Sequence, residues 1–317
     1  MLLQQFNRNI IFEKKSTMIE ILFKILPILL ISIIGYLLKV FKIFTKDHAD
    51  IFLKLVFYIA IPALILISFS NVQLHTKYAL LPVSSAIIIL TIYLISSLAG
   101  KLFKLPRQSF GTFLVGTMIL NTGFLLPYII AVYGDEGLAR ILIFDFSNGF
   151  LAYTFVYFIA CKYGMNGYNK KHLLKKFIFA TPFWGLTFGI IINLSDFKIP
   201  DIAYNLLEQL GNLTIPLLML SIGIYFTPKA VKVFPMLTAI LIRSGIGLLL
   251  GYFSVLIFGF EGLTKSIVLI ASAAPIGFNT LTYASMEKLD KEFAASMVSY
   301  SILLGLIFIP VLIFILG

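Results

Sequence analysis

Asn121-Thr122-Gly123-Phe124-Leu125-Leu126-Pro127 interrupts an otherwise apolar run, and Pro275-Ile276-Gly277-Phe278-Asn279-Thr280 interrupts another. Gly123-Phe124 and Gly277-Phe278 stand 154 positions apart. Glycine weakens helical preference and proline removes a backbone donor, so each stretch predicts a broken helix. In hydrocarbon an unsatisfied backbone group costs on the order of several kcal/mol. A mid-membrane break therefore belongs where protein buries it or where it lines a wet cavity. Paired breaks in corresponding spans are the sequence pointer to a transport site.

The surrounding composition puts these breaks in a bilayer. Hydrophobic residues make up 60% of the 317 and charged residues 12%, with a mean hydropathy of +1.00. That is about half the charge of a soluble domain. Ten apolar runs have the length of a span: 19–39, 48–70, 78–100, 109–133, 137–161, 175–194, 202–227, 231–258, 263–286 and 292–316. They are too long for barrel strands. The single Cys161 excludes a disulfide framework, and His48, His75 and His172 fall in polar connections, so no Cys/His metal site is expected. The net charge of +11 lies in short loops at membrane edges, which points away from nucleic acid. Residues 1–17 are polar and basic without a small-residue cleavage site, so they predict an extension, with Met18 as an alternative start.

The offset of 154 recurs. Gly35 matches Gly189, Ile61-Pro62 matches Ile215-Pro216, Leu64 matches Leu218 and Leu66 matches Leu220. The expected organisation is a first five-helix repeat over 18–161, a linker over 162–176 and a second repeat over 177–317. An odd number of spans per repeat inverts the second half, with a pseudo-two-fold axis in the membrane plane. The odd-numbered connections hold 16 Lys and Arg against 8 on the other side. The positive-inside rule then places the odd loops and the linker in the cytoplasm and both termini outside.

The breaks fall in the fourth and ninth spans. If the two broken helices cross, Asn121, Thr122, Asn279 and Thr280 supply polar side chains at the midplane. Gly123, Pro127, Pro275 and Gly277 supply the irregular backbone around them. Half-helix N-termini add positive partial charge, about +0.5 each. Each broken helix also brings a C-terminus there, so the dipoles alone leave the sign of the ligand open. Asp145, eight residues into the fifth span, is a candidate for binding a proton or Na⁺. Its alternative role is a capped or paired acid near the outer interface. Arg243 lies deep in the eighth span. It could draw anions, pair with Asp145, or extend toward the cytoplasmic headgroups. Tyr58 beside Pro62, and Asn212 and Thr214 before Pro216, are candidate cavity residues.

These residues carry a resemblance. The chain resembles the auxin efflux carrier family from about Met18 to Gly317. That family holds ten-span carriers, including plant auxin exporters and bacterial malate or malonate permeases. The matching stretches are Ile25-Leu26-Pro27 through Gly35-Tyr36-Leu37-Leu38, Leu55 through Leu64, Asn121 through Pro127 with Tyr133-Gly134, Ile215 through Gly223, and Ala273-Ala274-Pro275 onward. The resemblance implies a scaffold domain and a transport domain, the latter holding crossed helices. It also implies that a substrate carboxylate binds beside Asn121 and Pro275. Plant relatives carry a second proline where this chain reads Phe278-Asn279-Thr280, and they carry a long cytoplasmic loop where it has 162–176. The first departure favours the small-acid bacterial branch over auxin, and the second leaves no comparable regulatory platform.

The expected fold is thus all-α and integral to the membrane, ten helices in two inverted repeats. The expected function is secondary transport of a mono- or dicarboxylate. The partners are that small organic anion and the lipid bilayer of the cell membrane, and a homodimer is compatible. No cofactor is expected; coupling to H⁺ or Na⁺ is open. No phosphate-binding loop offers an ATP drive. Bile-acid-type sodium symporters and cation/proton exchangers share the architecture and are the rival reading. A non-transporting sensor would need an output domain, and an enzyme would need clustered acids or histidines.

Overall fold

The computed structural model describes residues 2–71, 76–164, 181–195, 197–226 and 229–316. The greater part of the expected linker, 165–176, lies outside the described residues, as does the start of the expected sixth span. The described chain is helical. Its one extended pairing among those residues is an isolated antiparallel bridge between Leu120 and Ile276. The helices are α1 (Leu2–Val40), α2 (Lys46–Leu55), α3 (Ile61–Asn71), α4 (Leu80–Leu102), α5 (Arg107–Met118), α6 (Thr122–Leu151), α7 (Tyr157–Tyr163) and α8 (Thr181–Asn193). After them come α9 (Asp201–Gly211), α10 (Thr214–Tyr225), α11 (Val233–Ile240), α12 (Gly247–Phe258), α13 (Gly262–Ser272), α14 (Asn279–Met286) and α15 (Lys291–Leu316).

Among the described residues, seven helical stretches are long and apolar enough to cross a bilayer: Leu22–Val40, Lys46–Ser70, Leu80–Leu102, Thr122–Tyr163, Asp201–Tyr225, Val233–Phe258 and Lys291–Leu316. The difference from ten has a local cause at two places, and at the third, the expected sixth span, only Thr181–Asn193 is described as helix. The expected fourth span is cut between α5 and α6. Its second part meets the fifth at Gly134, whose non-helical φ of 59° and ψ of −153° kink the chain, so that α6 is two helices joined there. A φ of that sign favours glycine. The expected ninth span is cut into α13 and α14, of 11 and 8 residues. The expected extension, 1–17, is helical from Leu2 and continues into the first span.

Side chains are distributed as in a membrane protein. On α12, Gly247, Gly251 and Ser254 are buried while Leu249, Phe253, Leu256 and Ile257 face outward. On α4, Ser84, Ser85, Ser96 and Gly100 point inward while Leu94, Leu98 and Leu102 point outward. Lipid solvates large apolar groups, so small residues go to the helix contacts. Ser84 and Ser254 hydroxyls meet at 2.5 Å across that contact.

The helices pack as two groups. α1, α2, α3, α8, α9 and α10 form one, and α4 to α7 with α11 to α15 form the other. Within the first group, α1 and α10 touch backbone to backbone. A Cβ on Gly35 would lie 2.3 Å from the Leu220 carbonyl oxygen, and one on Gly223 would lie 2.0 Å from that of Ser32. α8 meets α3 in the same manner, Gly185 against Pro62 and Gly189 against Phe69.

Three spans carry π-helical turns, at Val56–Ala60, Ala152–Val156 and Leu241–Ile246. The first has a covalent cause. Pro62 has no N–H to give to Tyr58, and the Ile61 N–H reaches back to the Val56 carbonyl instead.

At one end of the second group, Asp290 ties three segments. Its carboxylate accepts from Lys232 Nζ and from Ser109 Oγ, each at 2.7 Å, and from the Phe293 N–H at 3.1 Å. Burial alone would raise this carboxyl. The Lys232 and Ser109 hydrogen bonds, the Phe293 amide and the Lys232 charge outweigh it and hold the group below the usual carboxylate range.

Candidate functional site

The two broken stretches cross. The Asn121 N–H donates to the Pro275 carbonyl at 2.9 Å, and the Gly277 N–H donates to the Ile119 carbonyl at 3.0 Å. The backbones approach so closely that a Cβ on Gly277 would lie 2.5 Å from an Ile119 methyl and 2.9 Å from the Leu120 oxygen. Only glycine fits there.

Several backbone groups freed near the crossing find side-chain partners, as burial demands. Asn148, on α6, accepts the Leu120 N–H at 3.2 Å and donates to the Leu120 carbonyl at 3.4 Å. Ser301, on α15, accepts the Ile276 N–H at 3.1 Å, and Asn121 Nδ2 donates to the Ile276 carbonyl at 3.3 Å. Ser244 Oγ donates to the Ala274 carbonyl at 3.3 Å. Asn121 Oδ1 caps the new helix by accepting the Phe124 N–H at 3.1 Å. Pro127, buried in the second turn of that helix, has no N–H to return to the Gly123 carbonyl.

The expected site residues differ in exposure. Asn121, Pro127, Pro275, Gly277 and Thr280 are buried; Thr122, Gly123 and Asn279 are half-buried. The Pro275 ring packs on Gly305, where a Cβ would come within 2.6 Å of it. Pro275 therefore contributes its carbonyl to the crossing, while its ring faces a helix. The Asn279 side chain makes no hydrogen bond among the described residues. The Thr280 hydroxyl is buried without a partner.

Asp145 joins this group. Thr122 Oγ1 donates to Asp145 Oδ1, and Asn148 Nδ2 donates to the same oxygen at 2.7 Å. The acid thus sits against the first residue of α6. Arg243 does not reach the protein surface and does not pair with Asp145. It is fully buried, with Nη2 2.8 Å from the Ser272 carbonyl and Nη1 3.4 Å from that of Thr117.

A cavity of about 390 Å³ lies beside the crossing, with Phe278, the residue between Gly277 and Asn279, in its lining. The exposed Lys46 and Lys291 stand at its mouth and Tyr225, Phe226 and Ile302 along its walls, while Asn121, Thr122, Gly123, Pro127, Pro275, Gly277, Asn279 and Thr280 are not among its lining residues. It separates α10 of the first helix group from α14 and α15 of the second. Tyr225 and Phe278 face each other across it with ring centroids 5.4 Å apart, and Tyr225 OH donates to Asp50. Three expected cavity residues are elsewhere. Tyr58 is 57% exposed, Asn212 is exposed, and Thr214 is buried with an unpartnered hydroxyl; none of them lines this cavity.

The crossing residues Asn148, Ser244 and Ser301 went unselected in the sequence reading, as did the two lysines at the mouth. Asn148 had a signal, because it stands three residues after Asp145 and shares its helix face. The serines had none, since each acts on a carbonyl or amide that only tertiary contact brings near.

The sequence profile described as membrane transport protein matches residues 20–313. The chain belongs to the membrane transport protein family. The resemblance to auxin efflux carriers pointed to that family. An uncharacterised transporter of Methanocaldococcus jannaschii is 30% identical to this transporter over 284 residues, 86% of this chain and 92% of the relative. An uncharacterised transporter of Methanothermobacter thermautotrophicus is 25% identical over 300 residues, 90% of this chain and 95% of the relative. Membership gives the transporter a multi-pass membrane setting and a transport role in place of an enzymatic one.

Proposed function

We propose that this family member is a secondary transporter of a small organic anion, a mono- or dicarboxylate, working by alternating access at the helix crossing. The observation that carries the reading is the cavity beside the crossing, lined by Phe278 between Gly277 and Asn279. Lysines flank its mouth, and the half-buried Asn279, whose side chain is unbonded, opens a helix next to that lining residue. A carboxylate is attracted by the first feature and hydrogen-bonded by the second. The bound anion contacts Asn121, Thr122 and Asn279, and one helix group moves against the other to change the side from which the crossing is reached.

Ten spans in two inverted repeats, 18–161 and 177–317, underlie this motion. The partner exchange among the first helix group supports the repeat. Helix α1 packs on α10 and its repeat mate α8 packs on α3, which is the mate of α10. The odd loops, the linker over 162–176 and the lysine-flanked mouth face the cytoplasm of a cell-membrane protein, with both termini outside. Two copies associate as a homodimer.

A cation/proton exchanger or sodium symporter of the same architecture is the second reading. It is favoured by Asp145, an acid held at the crossing by Thr122 and Asn148. The same acid serves the first reading as the place where H⁺ or Na⁺ couples to the anion. A thermal-shift screen of purified protein against small carboxylates, with and without Na⁺, tests the choice. Stabilisation by at least one carboxylate supports the anion reading. A response to Na⁺ or pH alone, with none to any carboxylate, supports the second.

A further inference from the structure

The crossing contains four helix ends, and their charges are not treated alike. In an unbroken helix the Thr117 carbonyl would accept from the Asn121 N–H, four residues on. That N–H goes to Pro275 instead. The Ser272 carbonyl would accept from the Ile276 N–H, and that one goes to Ser301. The crossing therefore strips one carbonyl from the C-terminus of α5 and one from the C-terminus of α13. Arg243 takes both, at 3.4 and 2.8 Å.

Arg243 is built into this place. The π-helical turn Leu241–Ile246 carries it, and such a turn inserts one residue and redirects the side chains around it. A Cβ on Gly247 would lie 2.3 Å from the Ser272 oxygen and 2.7 Å from Arg243 Nη2, so the guanidinium has room only because that position is glycine. None of the ion pairs among the described residues includes Arg243, and its Nε has no partner. The full positive charge of a buried guanidinium is thus matched by helix ends alone.

Two C-termini carry about −0.5 each, so one arginine balances them. The two N-termini, at Thr122 and Asn279, remain. Asp145 stands against the first. Among the described residues no acid is hydrogen-bonded or ion-paired at the second. We infer that Arg243 fixes the charge preference of the transport site without touching the substrate. It cancels the two negative ends, so that the ends left to meet a ligand are positive. This rests on the anion reading above and resolves what the dipoles alone leave open.

The test compares an acid with its uncharged amide, malate with malamide and phenylacetate with phenylacetamide. Binding to the purified full chain is read by thermal shift and by calorimetry. Wild-type protein binds at least one acid more tightly than its amide. Arg243→Gln reduces that preference about tenfold, the size of a partly buried charge at a helix end. Arg243→Lys, which keeps the charge, restores most of it. Gly247→Ala crowds the guanidinium without removing charge and reduces the preference several-fold, which keeps the test open if Arg243→Gln does not fold. A purely structural arginine would weaken acid and amide together and leave their ratio unchanged. An unchanged ratio in the folded variants overturns the role of Arg243. Wild-type protein that binds acid and amide alike overturns the anion reading itself.

Discussion

Asn121 and Pro275 stand 154 positions apart, and the N–H of the first donates to the carbonyl of the second at 2.9 Å. The two residues that occupy the same place under the sequence offset are bonded directly to each other. The bond uses backbone only, so it survives the difference in their side chains. The asymmetry between the two breaks is then carried by what the side chains do. Asn121 caps a helix and holds Ile276, whereas the Pro275 ring packs on Gly305.

Asn121→Ala and Asn279→Ala separate capping from binding. Asn121 loses a cap bond and a cross-bond, which costs about 1 kcal/mol or more and lowers the unfolding temperature by a few degrees. Asn279 loses no bond within the protein, so Asn279→Ala unfolds at the wild-type temperature. Both abolish carboxylate uptake in proteoliposomes. Wild-type uptake by the Asn279 variant would remove that residue from the site.

Gly123→Ala probes space at the crossing. A Cβ there meets nothing closer than 3.8 Å and sits in a helix, where alanine is favoured over glycine by about 1 kcal/mol. The variant keeps or gains thermal stability while its uptake falls. Gly223→Ala is the contrasting case. Its Cβ would lie 2.0 Å from the Ser32 oxygen, so α1 and α10 must separate and stability falls by about 1–3 kcal/mol. Thermal unfolding of both variants in one detergent ranks them.

Asp145→Asn keeps the shape of the acid and removes its charge. Flux in proteoliposomes loses its dependence on the gradient of H⁺ or Na⁺ while carboxylate binding persists. Identical responses to pH and Na⁺ gradients in variant and parent would leave Asp145 a structural acid.

Asp290 gives an acid limit to stability. Its folded carboxyl is held below the usual range, so the unfolded chain takes up the proton first as pH falls. The stabilisation is complete above about pH 4–5 and is lost as pH falls through the lowered folded value. Unfolding temperatures of the parent and of Asp290→Asn, measured from pH 7 downward, should differ at neutral pH and converge in acid. A constant gap across that range would remove the carboxylate as its cause.

Much of this was written in punctuation. Glycine, proline and asparagine in an apolar run mark a break whatever lies around it, so 121–127 and 275–280 were readable before any contact was known. Fixed spacing made Gly35 and Gly189 comparable. The close contact each makes, with Leu220 and with Phe69, depends on which helix lies opposite and was not readable. Arg243 shows the limit most clearly. Its two acceptors are the carbonyls of Thr117 and Ser272, 126 and 29 positions away. Those carbonyls became available only because other bonds had formed elsewhere. The same places divide the long apolar runs in the structure: a run of span length in the sequence can stop and restart as two shorter helices, as 263–286 does at α13 and α14.

The contact of α1 with α10 has one more consequence. Where Gly35 and Gly223 bring main chain against main chain, there is no side-chain layer to rearrange, and sliding of one helix along the other would drive carbonyls into one another. That pair is a fixed hinge-post. The boundary beside it is different in kind, because there Tyr225 and Phe278 touch as tilted rings, side chain against side chain. On the proposed alternating-access reading, travel of the crossing would use that side-chain boundary and not the α1–α10 contact.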